Sequence, residues 1–417
     1  MVKIPEWWIE TTLWEIVDVK SWSTPSTKEE SYWDWNISWI TPKDLSTYNK
    51  RFIDRWEKNI TELWLKKSSA QLLPKNTVLF SSRAPIWYVA IANKELTTNQ
   101  GFKNLICDEN NSHFMFFYYW LKCKKDFIEW LASWSTFSEI SWTWMKNLPI
   151  ILPPLPEQKA IAGILSSFDD KIELLRAENQ TLEEMGQTLF KERFISPLAP
   201  WRGNWTSKNS LDSKKEKSPS GDLGAELPDG WKWGELWEIW EQITTRVKNE
   251  KERVVLSAVN SWNLVLSESY FSKQVFSEDI AKYITCDKWD FAYNPARINI
   301  GSIWRNFYWN WAVSPVYVVF RPKEKFWKYL EFIFKSERFK NHVEKYANWS
   351  VRQALNYDWF SRFELLIPSN NILEKFNENL EVFEKKIEEN KKQIESLSNT
   401  RDQLLPKLMS WEVRVEF

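Results

Sequence analysis

The chain has 417 residues with 56 acidic and 56 basic side chains, so its length allows two or three domains and its zero net charge neither indicates nor excludes nucleic acid. Three scattered cysteines, Cys107, Cys123 and Cys286, exclude a disulfide scaffold and lack metal-ligand spacing. We therefore expect a cytoplasmic protein with reduced thiols.

The first segment, residues 1–155, has the pattern of an α+β domain. Strand-like runs at residues 76–80 and 88–91 precede a helical pattern at residues 111–122. The longest apolar run, residues 114–121, is far too short to span a bilayer and is typical of a core helix. The first six residues do not have the composition of a signal peptide.

A long helix is predicted over residues 156–195, after a proline-rich sequence at residues 152–157. Its apolar positions step by four and three residues, which is the heptad pattern of a coiled-coil seam. The seam comprises Ile161, Leu165, Phe168, Ile172, Leu175, Leu182 and Leu189, with Asn179 and Gly186 in the same register.

Residues 196–226 are predicted to be a flexible linker, because they are rich in Ser, Lys and Pro and carry few apolar side chains. A second α+β segment follows over residues 227–370, with a strand-like run at 316–320 and a helical pattern at 328–345. A second long helix is predicted over residues 371–410. Its seam comprises Phe383, Ile387, Ile394, Leu397, Leu404 and Leu408, with Asn390 and Arg401 in the same register.

The two long helices are copies of one element. A constant shift of 215 residues superposes Phe168 on Phe383 and Leu182 on Leu397. Their core asparagines, Asn179 and Asn390, occupy different heptad positions. Because a buried Asn commonly fixes coiled-coil register, we expect the two helices to pair with each other. A solvated position at the edge of the seam is the alternative for either Asn.

The 30 tryptophans stand against only 9 glycines, and many occur where turns usually have glycine. Residues 4–9 and 227–232 align so that Trp7 stands opposite Gly230, while Trp8 stands opposite Trp231. Turns often require positive φ, which glycine adopts easily and a bulky residue does not. We hypothesise that the source cell reads UGA as glycine at about twenty of these positions, which would restore Gly to about 7%. The alternative is a genuine Trp-rich binding surface.

Several motifs, in order along the chain, resemble the specificity subunits of type I restriction–modification systems. They lie at residues 32–45, 78–88, 97–102, 152–158, 294–301 and 404–414. The resemblance spans essentially the whole chain. Where the family usually has glycine, this chain has Trp14, Trp22, Trp35, Trp64, Trp87, Trp134, Trp142, Trp237, Trp262, Trp289, Trp304, Trp349, Trp359 and Trp411. We expect exposed rings or strained turns at these positions. Trp130, Trp144, Trp201, Trp205 and Trp309 stay unassigned.

The resemblance implies an α+β fold with two globular target recognition domains, each followed by a long helix, and an antiparallel coiled coil between the helices. It implies a non-catalytic reader of double-stranded DNA in which each domain recognises one half of a split target. The helices would dock two modification subunits, which recruit restriction subunits. A helix of about 38 residues spans about 57 Å, which suffices for readers on successive major grooves about 34 Å apart.

The residues that contact DNA are expected in polar loops, because Arg, Lys, Asn and Gln contact base edges and phosphates. The candidates are Lys43, Arg83, Asn99 and Gln100 in the first half and Arg297, Asn299, Arg352 and Gln353 in the second. Arg83 and Arg297 lie in motifs that members with different targets share, so a scaffold or phosphate role is the alternative for them.

The sequence contains no recognisable catalytic constellation. Residues 294–297 lack the second Pro and the aromatic residue of an amino-methyltransferase motif, and no glycine-rich phosphate loop follows a strand. We expect no cofactor, no metal site and no membrane partner. Two other classes stay open: a Trp-rich carbohydrate- or peptide-binding protein, and a purely structural coiled-coil scaffold.

Overall fold

The computed structural model describes residues 4–22, 24, 29–46, 48–54, 58–83, 86–133, 139–195, 227–248, 254–258, 264–266, 280–298, 301–307, 309–323, 325–347 and 355–416. The chain divides into two compact units. The first unit comprises residues 1–178 and 388–417, and the second comprises residues 179–387.

The described strands of the first unit form three small sheets. They are β1 (Ile9–Thr12), β2 (Val17–Lys20), β3 (Trp33–Ile40), β4 (Phe52–Ile53), β5 (Asn59–Ile60), β6 (Val78–Ser81), β7 (Val89–Ala92), β8 (Thr97–Thr98), β9 (Phe102–Cys107) and β10 (Pro149–Leu152). The largest sheet has the order β2-β9-β6-β7-β4, the next has the order β5-β3-β8, and β1 pairs with β10. The strand β6 is buried at all four of its residues.

Among the described residues, six α-helices precede the first long helix. They are α1 (Leu13–Ile16), α2 (Pro42–Leu45), α3 (Glu62–Lys67), α4 (Phe114–Cys123), α5 (Lys125–Ser133) and α6 (Trp142–Lys146). The helix α4 buries seven consecutive residues, as expected for a helix that is apolar on every side. It contacts β6, β7 and β9 of the largest sheet, so the predicted core helix is confirmed.

The long helix α7 (Leu155–Phe190) follows, with a π-helical turn at Lys191–Ile195. A proline occupies its second residue, where a missing backbone N–H costs no intrahelical hydrogen bond.

In the part of the second unit that the structure describes, the strands form two four-stranded sheets and one two-stranded ladder. They are β11 (Lys232–Glu235), β12 (Trp240–Ile243), β13 (Val254–Ala258), β14 (Leu264–Leu266), β15 (Ile284–Cys286), β16 (Phe291–Tyr293), β17 (Ile303–Arg305), β18 (Trp311–Val313), β19 (Val318–Pro322) and β20 (Glu364–Ile367). The sheets have the orders β12-β19-β16-β17 and β14-β13-β18-β15, and β11 pairs with β20.

The remaining helices are α8 (Trp327–Lys335), α9 (Glu337–Ala347), α10 (Tyr357–Ser361) and α11 (Asn370–Met409). One helix was expected over residues 328–345, and two are present. The break falls at Ser336, which has extended backbone angles and accepts a hydrogen bond from the Phe339 backbone N–H at 3.3 Å. Serine is a good N-cap, so the hydroxyl ends α8 and begins α9.

The sequence repeat corresponds to a structural repeat. In the first unit the backbone N–H of Leu13 donates to the Leu148 carbonyl at 3.1 Å, and in the second Leu236 donates to the Phe363 carbonyl at 3.1 Å. Each bond joins the chain just after the first strand of its unit to the chain just before the strand that pairs with it. Each of these two-stranded ladders leads directly into a long helix.

The two long helices run antiparallel. In the first unit Asp169 pairs with Arg401 and Glu178 with Asn390, so residue numbers rise along one helix as they fall along the other. In the second unit the Phe190 ring lies 6.2 Å from the Phe376 ring. The predicted fold class, α+β with two globular parts and an antiparallel helix pair, is confirmed.

The expectation about tryptophan holds at several positions and fails at three. Trp87, Trp289 and Trp411 have positive φ, at 102°, 78° and 54°. Rings are exposed at Trp14, Trp142, Trp237 and Trp359, as expected. The expectation is wrong for Trp22, Trp64 and Trp304, whose rings are buried. Trp134, Trp262 and Trp349 lie outside the described residues, as does the side chain of Trp35.

Candidate DNA interface

Three loops of the first unit meet where the candidates Lys43, Arg83 and Asn99 lie. The Asn99 backbone N–H donates to the Ile40 carbonyl at 3.1 Å, just before α2. The Ser82 backbone N–H donates to the Gly101 carbonyl at 2.8 Å. These bonds bring the α2 segment, the loop after β8 and the loop after β6 together.

The loop after β8 is held by its own polar side chains. The Asn99 side-chain oxygen accepts a hydrogen bond from the Gly101 N–H at 2.9 Å. The Thr24 hydroxyl donates to the Gln100 side-chain oxygen, and the Gln100 backbone N–H donates to that hydroxyl oxygen at 3.2 Å. A Cβ at residue 101 would lie 2.8 Å from the Pro42 ring, so the close approach requires Gly101. Asn99 and Gln100 therefore stabilise the loop in this structure.

The Arg83 guanidinium forms part of a three-membered charge cluster. It lies 3.5 Å from the Glu139 carboxylate, whose other oxygen lies 3.3 Å from the Lys103 ammonium. Lys103 is buried and donates to the Ser82 hydroxyl at 3.1 Å. Burial lowers the pKa of Lys103, and the Glu139 carboxylate opposes that effect. The cluster holds the Arg83 side chain beside the loops after β6 and β8, where it stays 38% exposed.

Sequence reasoning missed Lys103 and Glu139. Lys103 lies in β9 between Phe102 and Asn104, and a charge within a buried strand was the signal that could have found it. Glu139 follows residues that the structure does not describe. Its pairing depends on tertiary contacts that no local pattern encodes.

Lys43 is exposed on α2, and Arg297 is exposed in the turn after β16. The Arg297 turn is closed by a hydrogen bond from its backbone N–H to the Asn294 carbonyl at 3.0 Å. The Leu355 N–H donates to the Pro295 carbonyl of the same turn. Asn299, Arg352 and Gln353 lie outside the described residues.

The predicted seam residues fall into two groups by burial. Ile161, Leu165, Ile172, Leu175 and Leu408 are buried, whereas Phe168, Leu182, Leu189, Phe383, Ile387, Ile394, Leu397 and Leu404 are partly buried. Asn390 is fully buried and donates to a Glu178 carboxylate oxygen at 3.0 Å. Partial exposure is expected where only two helices form the core.

Within the described part of the chain, no group of acidic, histidine and cysteine side chains has the arrangement of a metal site. No helix among those residues combines the length and apolarity needed to cross a bilayer.

Comparison with known proteins identifies the family of this chain. The family described as "Type I restriction modification DNA specificity domain" matches residues 5–184. The specificity subunit of the type I restriction enzyme MjaIX from Methanocaldococcus jannaschii is 33% identical over 99% of this chain and 95% of its own length. The HindI specificity subunit of Haemophilus influenzae is 40% identical over 60 residues, which is 14% of this chain and 13% of its own.

One solved structure supports the fold. The crystal structure of a type I restriction–modification S subunit from M. genitalium is 18% identical and covers 98% of this chain and 96% of its own, with a TM-score of 0.54. At that identity the likeness concerns the fold alone, whereas the full-length relative carries the family assignment. This chain belongs to the type I restriction–modification DNA specificity family.

Proposed function

We propose that this chain reads a split double-stranded DNA target, with one half-sequence recognised by each globular domain. The observation that carries the proposal is the structural repeat, in which the same ladder leads into a long helix twice. Family membership supplies the role: a non-catalytic DNA-specificity component that assembles with other restriction–modification subunits.

The proposed division gives recognition domains at residues 1–155 and 227–370, spacer helices at 156–195 and 371–410, and a linker at 196–226. The proposed assembly, in the cytoplasm, places two modification subunits on the helices, and through them the restriction subunits. Exposed apolar side chains on the helices support a protein partner there, among them Leu174 and Val382, which are 60% and 66% exposed.

The proposed DNA-facing residues are Lys43, Arg83, Asn99, Gln100, Arg297, Asn299, Arg352 and Gln353. Among the members of this set that the structure describes, Lys43 and Arg297 are the exposed cations, which favours direct contact with phosphates or base edges. The ion pair with Glu139 orients the Arg83 guanidinium before DNA binds. The bonds of Asn99 and Gln100 favour a supporting role in the loop.

The test is to express the complex in a host without its own methylation and to map the methylated bases. We expect two defined half-sequences separated by unspecified bases. Lys43→Ala should weaken recognition that depends on one half-sequence and Arg297→Ala the other, each by about 1–3 kcal/mol if the side chain reads a base. Lys66→Ala, at another exposed lysine of the first domain, is the matched control. An uninterrupted target, or two variants that affect the same half, would contradict the split reader.

We also propose that many of the printed tryptophans are glycines in the source cell. The left-handed backbone at Trp87, Trp289 and Trp411 supports this, because an L side chain is disfavoured there. Sequencing the gene and measuring peptide masses of the native protein test it. UGA codons with Gly-mass peptides are expected, and UGG codons at these positions would refute the proposal.

A further inference from the structure

In each unit, buried cations of the globular part form ion pairs with acidic side chains of the long helix that follows it. In the first unit Arg51, only 5% exposed at its side chain, lies 3.1 Å from the Glu173 carboxylate and also pairs with Asp170. Its backbone N–H donates to the same Glu173 carboxylate at 3.0 Å. Both acidic residues belong to α7, so one arginine binds the helix by side chain and backbone together.

A second contact in the first unit links the globular part to both long helices. The Tyr119 hydroxyl, on α4, donates to the buried Asp169 carboxylate at 2.7 Å, and Asp169 also pairs with Arg401 of α11. Burial and the Asp169 carboxylate raise the pKa of Tyr119, which keeps the hydroxyl protonated as the donor. The globular part therefore contacts a carboxylate that itself fixes the pairing of the helices.

The second unit repeats the arrangement with different residues. Arg305, at the end of β17, lies 3.3 Å from Glu331 and 3.7 Å from Glu384. Lys328 lies 3.2 Å from Glu384 and 3.5 Å from Glu381, and it donates to the Asn377 carbonyl at 3.1 Å. Arg305 and Lys328 are 4% and 1% exposed at their side chains. Glu384 and Asp169 are equivalent under the 215-residue shift between the helices, so both units use the same helical position.

These ion pairs do more for geometry than for stability. The cations are buried, but the side chains of Asp170, Glu173, Glu381 and Glu384 stay 69%, 27%, 68% and 44% exposed. Desolvation of the cation and screening by water at the carboxylate offset much of the attraction, so such a pair is weak evidence of net stabilisation. A pair of this kind does restrict direction. The planar Arg51 guanidinium binds Glu173 through Nε and Asp170 through a terminal nitrogen, and two such bonds fit only one arrangement. Arg51 in the first unit, and Arg305 with Lys328 in the second, therefore restrict rotation of the globular part on its helix.

We propose that Arg51 in the first unit, and Arg305 with Lys328 in the second, are positioning residues that fix the angle of each recognition domain on its helix and so set the spacer length the complex accepts. The inference rests on the proposed split reader. One additional base pair moves a half-site by about 3.4 Å along the DNA and about 35° around it. A domain held rigidly cannot follow that rotation, whereas a loosened one can.

The experiment uses the full chain in its complex and the split target mapped as described above. Methylation is measured on duplexes with the native spacer and with spacers one base pair shorter or longer. Arg51→Met removes the cation, and the isosteric Glu173→Gln weakens the junction with little change in packing should Arg51→Met fail to fold. Arg51→Lys restores one charged contact, and Glu62→Gln removes an exposed ion pair of the same domain as the matched control.

We expect Arg51→Met and Glu173→Gln to lower the ratio of methylation on native to altered spacers by about tenfold. Arg51→Lys should recover part of the ratio, and Glu62→Gln should leave it unchanged. A purely structural role would lower methylation on all spacers by one factor and leave the ratio intact, which would overturn this inference alone. Lack of a split target for the unaltered complex would overturn the proposed function and this inference with it.

Discussion

At the scale of single residues, the left-handed tryptophans are the least ordinary feature of the chain. Trp289 has φ at 78°, and its backbone N–H donates to the Asn306 carbonyl at 2.8 Å. The main-chain hydrogen bond therefore fixes the turn, and the Trp289 side chain does not determine it. The ring is 36% exposed and stacks on Trp327 at 4.6 Å. Such a ring is a consequence of the turn and is weak evidence for an aromatic ligand site.

Trp289→Gly should leave the free energy of unfolding unchanged or raise it by up to about 1 kcal/mol. Relief of the left-handed strain, about 1–2 kcal/mol, opposes the lost ring packing and the greater freedom of glycine in the unfolded chain. Trp231→Gly is the matched control in the same unit, since that ring is 7% exposed and its φ is not positive. The control should lose about 3–5 kcal/mol. Denaturant unfolding of the chain synthesised as printed measures both, and equal losses would refute the strain argument.

At the scale of elements, the heptad pattern predicted that the two long helices pair with each other, and the family resemblance implied that they run antiparallel. Two polar seam positions have partners on the opposite helix. Arg401 occupies a seam position in the sequence and pairs with Asp169 across the helix interface. Asn390 also occupies a seam position, and its side chain donates a hydrogen bond to Glu178 on the opposite helix. Buried polar pairs of this kind specify register because a shifted alignment leaves them without partners.

A double-mutant cycle on Asn390→Ala and Glu178→Ala should give a coupling free energy of about 1–3 kcal/mol, because a buried hydrogen bond to a charged group is strong. The matched pair on the same helix is Lys392 and Glu388, 3.0 Å apart but 72% and 69% exposed at their side chains. Its coupling should stay below about 0.5 kcal/mol because solvent screens it. Thermal unfolding of the four variants of each cycle is the measurement, and equal couplings would exclude a special role for Asn390.

The elements that local sequence determines were predictable, and those that depend on distant contacts were not. The seam of α7 and the strand at β6 follow from periodicity and apolar runs, which any window of sequence contains. Ser336 is a local signal that was overlooked, since a serine between two amphipathic patterns can cap the second helix. The Arg51 and Lys103 pairings could not be predicted, because Glu173 and Glu139 meet them only after folding. The exposed candidates Lys43 and Arg297 were accessible to sequence reasoning, and their DNA contacts stay predictions.

At the scale of the whole molecule, charge limits how this chain can hold DNA. Acidic and basic side chains are equal in number, and several cations are already bound to carboxylates inside the fold, as Arg51, Arg305 and Lys328 are. A phosphate contact needs a cation that is free to displace a counterion. The chain by itself should therefore neutralise few phosphates, and the modification subunits should supply most of them.

Salt dependence of DNA binding tests this division. Each neutralised phosphate contributes about −0.9 to the slope of log K against log salt, so the assembled complex should have a slope steeper by about 3 or more than the chain alone. Fluorescence anisotropy of a labelled duplex carrying the mapped target, between about 50 and 200 mM salt, measures both slopes. A duplex with both half-sequences scrambled gives the non-specific slope as the control. Equal slopes for the chain and the complex would mean that this chain carries the phosphate contacts itself, through loops such as those around Lys43 and Arg297, and would refute the proposed division.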